Sequence, residues 1–338
     1  MSDLPESFKA LRVEETQDGD KLCYSSSVIE RHLSELPDSD VLIKVHYSSV
    51  NYKDALSASG NKGVTRQYPH TPGIDAAGLV VRSQDSSLKV GQSVIVTGYD
   101  LGMNTSGGFA EYIAVPAQWV VPLPEGLSLF ESMVLGTAGL TAALCVEKLL
   151  NNGLTPDQGD VLVTGATGGV GSIAIALLSK LGFSVTACSG KADSHPMLKR
   201  LGAGAIITRE ELLDQGSRPM LKERWAGAVD VVGGEMLWNI VKSLRYGGSV
   251  ACCGLVGSPK LEATVFPFIL RSVNLLGVDS VLLPLAHKTA IWSKLAAQWN
   301  IEQLADLAKI IALDELQAGI DSLLKGQGKG RLVLDLGR

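Results

Sequence analysis

Apolar and polar positions along this 338-residue chain follow two different rhythms. In residues 8–125 short apolar runs alternate with polar positions and are punctuated by glycine. Val41–Val50 alternates as a strand, residues 73–81 form a second, 91–97 a third opened by a glycine turn, and 108–115 a fourth. Closely spaced short strands of this kind predict a mostly β, partly closed antiparallel barrel. Trp119-Val-Val-Pro-Leu-Pro-Glu-Gly126 is a proline-rich connector and marks a boundary.

Beyond Ser128 the period lengthens. Residues 130–150 read as a helix interrupted by Gly136-Thr-Ala-Gly139, and strands then alternate with helices. The strands are 161–164, 183–190, 205–208, 228–232, 248–254 and 274–281, with a helix at 236–244. This is the rhythm of a doubly wound parallel sheet, an α/β fold. Helices at 290–299, 301–311 and 316–324 follow, and a last strand at 330–335 is expected to return to the first domain. The predicted division is a β domain of 1–126, completed by about 285–338, and a nucleotide-binding domain of 127–284.

The second domain is organised around Val161 to Gly182. A buried β-branched run leads into Gly165-Ala-Thr-Gly-Gly-Val-Gly171, and an uncharged helix follows. Glycines there let the backbone approach a pyrophosphate, and the helix start offers free N–H groups and a positive dipole end. Thr167, Gly168, Gly169 and Val170 are the expected contacts. A dinucleotide fold that prefers NAD usually ends its second strand with a carboxylate for the ribose 2′-hydroxyl. Here that place reads Ser189-Gly190-Lys191. A hydroxyl and an ammonium suit a 2′-phosphate, so NADPH is the expected cofactor.

Composition narrows the function further. Hydrophobic residues make up 46% and charged residues 19%, which suits large cores rather than disorder. The net charge of −5 has no basic stripe, so nucleic acid is not an expected partner. No signal-peptide pattern opens the chain and no run reads as a membrane span, and the five cysteines read as reduced core residues of a cytoplasmic protein. The five histidines are scattered without metal spacing and read as structural.

The stretches Ser49-Val-Asn-Tyr-Lys-Asp54, Pro72-Gly-Ile-Asp-Ala-Ala-Gly78, Leu135-Gly-Thr-Ala-Gly-Leu-Thr-Ala142, Val163 to Gly171 and Gly330-Arg331 together resemble the zinc-independent medium-chain dehydrogenase/reductase superfamily. More narrowly, Asn51 to Ala55, Phe266-Pro-Phe-Ile-Leu-Arg271 and Gly277-Val-Asp-Ser-Val281 resemble the YhdH/YhfP-type quinone oxidoreductases, a branch that includes NADPH-dependent acryloyl-CoA reductases. The resemblance implies a Rossmann domain beside a GroES-like domain. Zinc enzymes of the superfamily carry Cys-His where this chain has Asn51-Tyr52, and Gly-His-Glu where it has Gly73-Ile74-Asp75. An amide, a phenol and an isoleucine cannot supply thiolate and imidazole ligands, so no metal is expected.

Without a Lewis acid, the expected reaction is hydride transfer to an activated carbon–carbon double bond. Tyr52 is the expected polariser or proton donor, with Asn51 orienting it or the substrate. The resemblance further implies cofactor contacts from Tyr52, Arg209, Leu255, Ile269, Ser280 and Arg331. Lys53 and Asp54 read as a neighbouring ion pair, and Lys53, Lys62 and Arg66 read either as a basic patch for a phosphate-bearing substrate or as scattered solvated surface residues. Three activities fit: an NADPH-dependent reductase of an unsaturated acyl-CoA, an NADPH reductase of quinones or other enones, and a catalytically silent NADPH-binding protein. A homodimer is expected through the apolar segment 273–281.

Overall fold

The computed structural model describes residues 4–213, 218–302 and 304–337. It divides into two compact units, residues 1–137 with 281–338 and residues 138–280.

The first unit opens with a long antiparallel hairpin, β1 (Ser7–Asp18) and β2 (Lys21–His32). Then come β3 (Val41–Val50), α1 (Tyr52–Ala58), β4 (Asp75–Ser83), β5 (Ser93–Thr97), β6 (Tyr112–Val115) and β7 (Val120–Pro122). Helix α2 (Leu129–Asn151) leads out of the unit. Strand β3 is the axis of this part. One edge pairs with β4; the other is shared between β6 along Val41–Lys44 and the last strand of the chain along Tyr47–Val50. That sharing curls the sheet around Val41, Ile43, Val45, Val94, Val96 and Ile113, all buried.

The second unit holds β8 (Val161–Val163), α3 (Gly169–Lys180), β9 (Val185–Cys188), α4 (His195–Arg200), β10 (Ala203–Ile207), α5 (Arg209–Leu213), β11 (Trp225–Asp230), α6 (Gly234–Ser243), β12 (Leu244–Cys252), α7 (Phe266–Arg271) and β13 (Asn274–Gly277). The strands stand in the order β10-β9-β8-β11-β12-β13, all pairs parallel. This is the 3-2-1-4-5-6 order of a Rossmann sheet, with its switch point between β8 and β11.

The chain then returns to the first unit through α8 (Leu285–Ala296), β14 (Ala308–Ile311), α9 (Leu316–Leu324) and β15 (Arg331–Asp335). Strand β15 pairs antiparallel with β3, and a core of Leu11, Val50, Phe109, Ile320 and Leu334 seals the return.

Four expectations change. The helix expected at 301–311, apart from Gln303, which lies outside the described residues, is a short 3₁₀ turn followed by β14, parallel to β15. An available strand edge overrides helix propensity there. The strand expected at 274–281 is regular only to Gly277, and the one expected at 108–115 is regular only from Tyr112. In the latter case Gly108 and Phe109 donate to the carbonyls of Gly73 and Pro72 instead. Finally, α2 does reach the length and hydropathy of a membrane span, but 78% of its apolar window is buried inside the protein. Gly136 breaks it with φ 52° and ψ −156°.

Candidate active site and cofactor corner

In the second unit the glycine stretch forms the turn between β8 and α3. Gly168 is the N-cap of α3, so Gly169 and Val170 open its first turn with N–H groups that have no partner within the helix. A Cβ on Gly171 would stand 2.4 Å from the Gly165 carbonyl oxygen, so the close approach of turn and helix requires glycine. Thr167 is buried beside them. Asp230, at the carboxyl end of β11, fixes the turn from below. It accepts from Thr164 Oγ1 at 2.7 Å and from the Gly233 N–H at 2.7 Å, and burial holds its carboxyl above the usual range.

Ser189 follows β9 and is buried, and its Oγ accepts the Lys191 N–H at 3.1 Å. Arg209 is exposed at the start of α5, just past β10, whose Ile207 pairs with Cys188. Its charge reaches the Cys188 thiol, which burial pushes up to about 11. Gly190, Lys191 and Arg209 therefore share one edge of the sheet. The arrangement can hold a pyrophosphate on backbone N–H groups and a further phosphate between two cations. Carboxylates are nearby, since Glu210 and Glu211 open α5, but Glu211 is turned to cap the Thr208 N–H. Leu255 and Ile269 are exposed apolar side chains, 60% and 69% accessible. Ser280 is buried and accepts from Thr141 Oγ1 at 2.8 Å.

In the first unit Asn51 and Arg331 meet at a buried carboxylate that the sequence did not single out. Asp75 begins β4 and is fully buried. Its Oδ2 accepts from Ser49 Oγ at 2.6 Å, from Asn51 Nδ2 at 2.7 Å and from the Thr137 N–H at 2.9 Å; its Oδ1 accepts from Thr137 Oγ1 at 2.5 Å. Arg331, 3% exposed, lies on the far side with Nη2 at 4.0 Å from Asp75 Oδ2. It donates to Ser49 Oγ at 2.9 Å, to the Val134 carbonyl at 2.9 Å and to Asn51 Oδ1 at 3.3 Å. Burial lowers its pKa, and the charges of Asp75 and Asp54 oppose that shift.

Arg331 was expected at the cofactor; the structure places its guanidinium inside this network. Asn51 likewise turns its amide inward. Tyr52, the first residue of α1, is 39% exposed on the surface of the unit.

The break in α2 makes this cluster possible. Gly136 turns the chain so that the Thr137 N–H points at Asp75, whose charge caps the helix start. A Cβ on Gly136 would meet Ser49 Oγ, Asp75 Oδ2 and Arg331 Nη2 at 2.4–2.9 Å.

Asp54 is a second buried carboxylate. It accepts the N–H groups of Asn51 at 2.7 Å and Ile74 at 2.8 Å. Burial, and then the charge of Asp75, push its pKa from 3.8 up to about 7 against those two donors. The expected Lys53–Asp54 ion pair is therefore replaced by an inward capping carboxylate. Lys62 is also engaged, paired with Glu15 and lying 4.7 Å over the Tyr68 ring. Among the described residues no three His, Cys, Asp or Glu side chains gather as a metal site. Ile74, at the family's histidine place, is buried.

Comparison with known proteins identifies the family. Residues 37–125 match the alcohol dehydrogenase GroES-like domain, and residues 169–294 match the zinc-binding dehydrogenase domain. The acrylyl-CoA reductase AcuI of Ruegeria pomeroyi is 44% identical, over 97% of this chain and 99% of AcuI. YhfP of Bacillus subtilis, named as a quinone oxidoreductase, is also 44% identical, and its crystal structure with NAD bound covers 97% of this chain and 99% of that one at a TM-score of 0.93. The yhdH oxidoreductase of Salmonella enterica, crystallised in complex with NADP, is 45% identical, covers 97% and 99%, and has a TM-score of 0.92. This chain belongs to the YhdH/YhfP-type quinone oxidoreductase branch of the medium-chain dehydrogenase/reductase superfamily.

Proposed function

We propose that this protein is an NADPH-dependent reductase that adds hydride to the β-carbon of an α,β-unsaturated thioester such as acryloyl-CoA. The observation that carries the reading is the make-up of the turn at the family's metal place. Asn51 is tied inward to Asp75 and Arg331, Ile74 is buried, and Tyr52 alone of the three presents a polar group at the surface. A site with that donor set suits an activated alkene better than a carbonyl that needs a Lewis acid.

NADPH supplies the hydride when bound. Gly168, Gly169 and Val170 would hold its pyrophosphate at the start of α3, with Thr167 beside them. Ser189, Gly190, Lys191 and Arg209 would hold the 2′-phosphate, and Leu255, Ile269 and Ser280 belong to segments assigned to the nicotinamide end. Hydride arriving at Cβ moves the alkene electrons toward the thioester oxygen, which leaves an enolate. The Tyr52 hydroxyl either gives a proton to Cα itself or donates a hydrogen bond to that oxygen while water protonates Cα, and the product is the saturated thioester. Support for the cofactor comes from the NADP complex of the yhdH relative, and support for the substrate from the name of AcuI.

A second reading, reduction of quinones, is favoured by the equal identity of YhfP. NADPH oxidation with acryloyl-CoA, crotonyl-CoA and a simple quinone, side by side, separates them. The thioester reading expects the highest kcat/KM with acryloyl-CoA. A quinone turned over faster would replace it, and bound NADPH with no turnover of any substrate would indicate a silent binding protein. We also propose a homodimer through β13, an edge strand whose Leu275 is 37% exposed. Light scattering at micromolar concentration should give twice the chain mass; a monomer mass would exclude it.

A further inference from the structure

We infer that Asp75 is a positioning residue for Tyr52, acting through the side chain of Asn51. The inference rests on the role proposed above for Tyr52.

The Asn51 amide lies between an anion and a cation. Its NH₂ end donates to Asp75 Oδ2 at 2.7 Å and to the Ser49 carbonyl at 3.3 Å, and its oxygen accepts from Arg331 Nη1 at 3.3 Å. A flipped amide would set oxygen against carboxylate and NH₂ against guanidinium, so one orientation is strongly preferred. The main chain of Asn51 is held as well, its N–H by Asp54 Oδ2 and its carbonyl by the N–H groups of Asp54 at 3.0 Å and Ala55 at 3.3 Å.

Tyr52 follows directly. Helix α1 has only seven residues, too few to define its own start in water. What fixes the root of Tyr52 is therefore Asn51, whose main chain is held by Asp54 and whose side chain is held by the Asp75–Arg331 pair. Asp75 is itself immobile, because Ser49 and Thr137 occupy its remaining acceptor sites. Such a chain of contacts presets the backbone from which the phenol projects, and misplacement of a catalytic group by about 1 Å can cost on the order of 100-fold in rate.

A double-mutant cycle tests this. Asp75→Asn and Tyr52→Phe are made singly and together, and turnover of acryloyl-CoA, NADPH affinity and amide exchange of Asp54 and Ala55 are measured. Because Asp75→Asn strips a buried guanidinium of its anion and can prevent folding, Asn51→Ala is run in parallel; it cuts the link while leaving Asp75, Arg331 and Thr137 joined. Either variant should lower kcat about tenfold or more, keep NADPH affinity within about twofold, and speed exchange at the start of α1. In the Tyr52→Phe background it should lower kcat no further. An equal loss in both backgrounds, or unchanged exchange in α1, would overturn the positioning role while leaving Tyr52 as the donor. No loss from Tyr52→Phe alone would remove the donor reading itself, and the positioning role with it.

Discussion

The cofactor corner of the second unit and the Asp75 cluster of the first prepare for charge in opposite ways. At the corner, the groups that would meet an anion are main-chain N–H groups at the start of α3, with Lys191 and Arg209 at the sheet edge. In the cluster, the charges are side chains that neutralise one another out of water. Asp75 and Arg331 are both at least 97% buried, and nearly every donor and acceptor around them is matched. A backbone site keeps its N–H groups for a ligand, because helix geometry leaves them without internal partners. A buried ionic network keeps little for a ligand and holds position instead.

The two regions should therefore break differently. The largest effect is expected at Gly136, whose backbone lies where only glycine is comfortable and whose Cβ would strike Ser49, Asp75 and Arg331. Gly136→Ala should cost more than about 4 kcal/mol, combining backbone strain with an opened ion network. Loss of soluble protein, or a collapse of the denaturant midpoint, is the expected readout; near-native stability would mean the cluster is looser than described.

The next effect is pH-dependent and belongs to Asp54. With its carboxyl raised from 3.8 to about 7, the native protein keeps a proton there that the unfolded chain has released. Stability should therefore fall as pH rises between about 4 and 7, by about 1.4 kcal/mol per unit for this one group. Urea unfolding across that window, compared between the native chain and Asp54→Asn, isolates the contribution, because other raised groups such as Asp230 are common to both. Parallel profiles would show that Asp54 is ionised throughout.

The smallest effect is at the corner. Losing one charge-assisted contact to phosphate costs about 1.5–3 kcal/mol. Lys191→Ala should weaken NADPH binding more than about tenfold, leave NADH nearly unchanged, and leave the unfolding midpoint in place. Equal losses for both cofactors would remove Lys191 from the 2′-phosphate site.

The same contrast explains what the sequence disclosed. The corner is local: strand, glycine turn and helix lie within residues 161–182, so motif and periodicity are enough to place it, and the observed sheet is of the doubly wound parallel class that the alternation predicts. The cluster is assembled from Ser49, Asn51, Asp75, Thr137 and Arg331, the last some 280 positions from Asn51. No period marks it. The stretches at 49–54, 72–78, 135–142 and 330–331 carried the resemblance without any sign that they touch. Polar residues set in apolar surroundings, Ser49 beside Val50 and Asp75 beside Ile74, were the available signal. Helix α1 was hidden for a related reason. Its start is set by Asn51 and Asp54, which bond each other locally but are held in place by Asp75 and Ile74, twenty or more positions on.

The proposed reaction reduces a carbon–carbon rather than a carbon–oxygen double bond. The most direct measurement follows the label from NADPH deuterated at the transferred position, with acryloyl-CoA as acceptor, into the product by mass spectrometry and NMR. Deuterium is expected at Cβ, and, in a parallel reaction run in deuterated water with unlabelled NADPH, at Cα. Deuterium from NADPH on the former carbonyl carbon would contradict it.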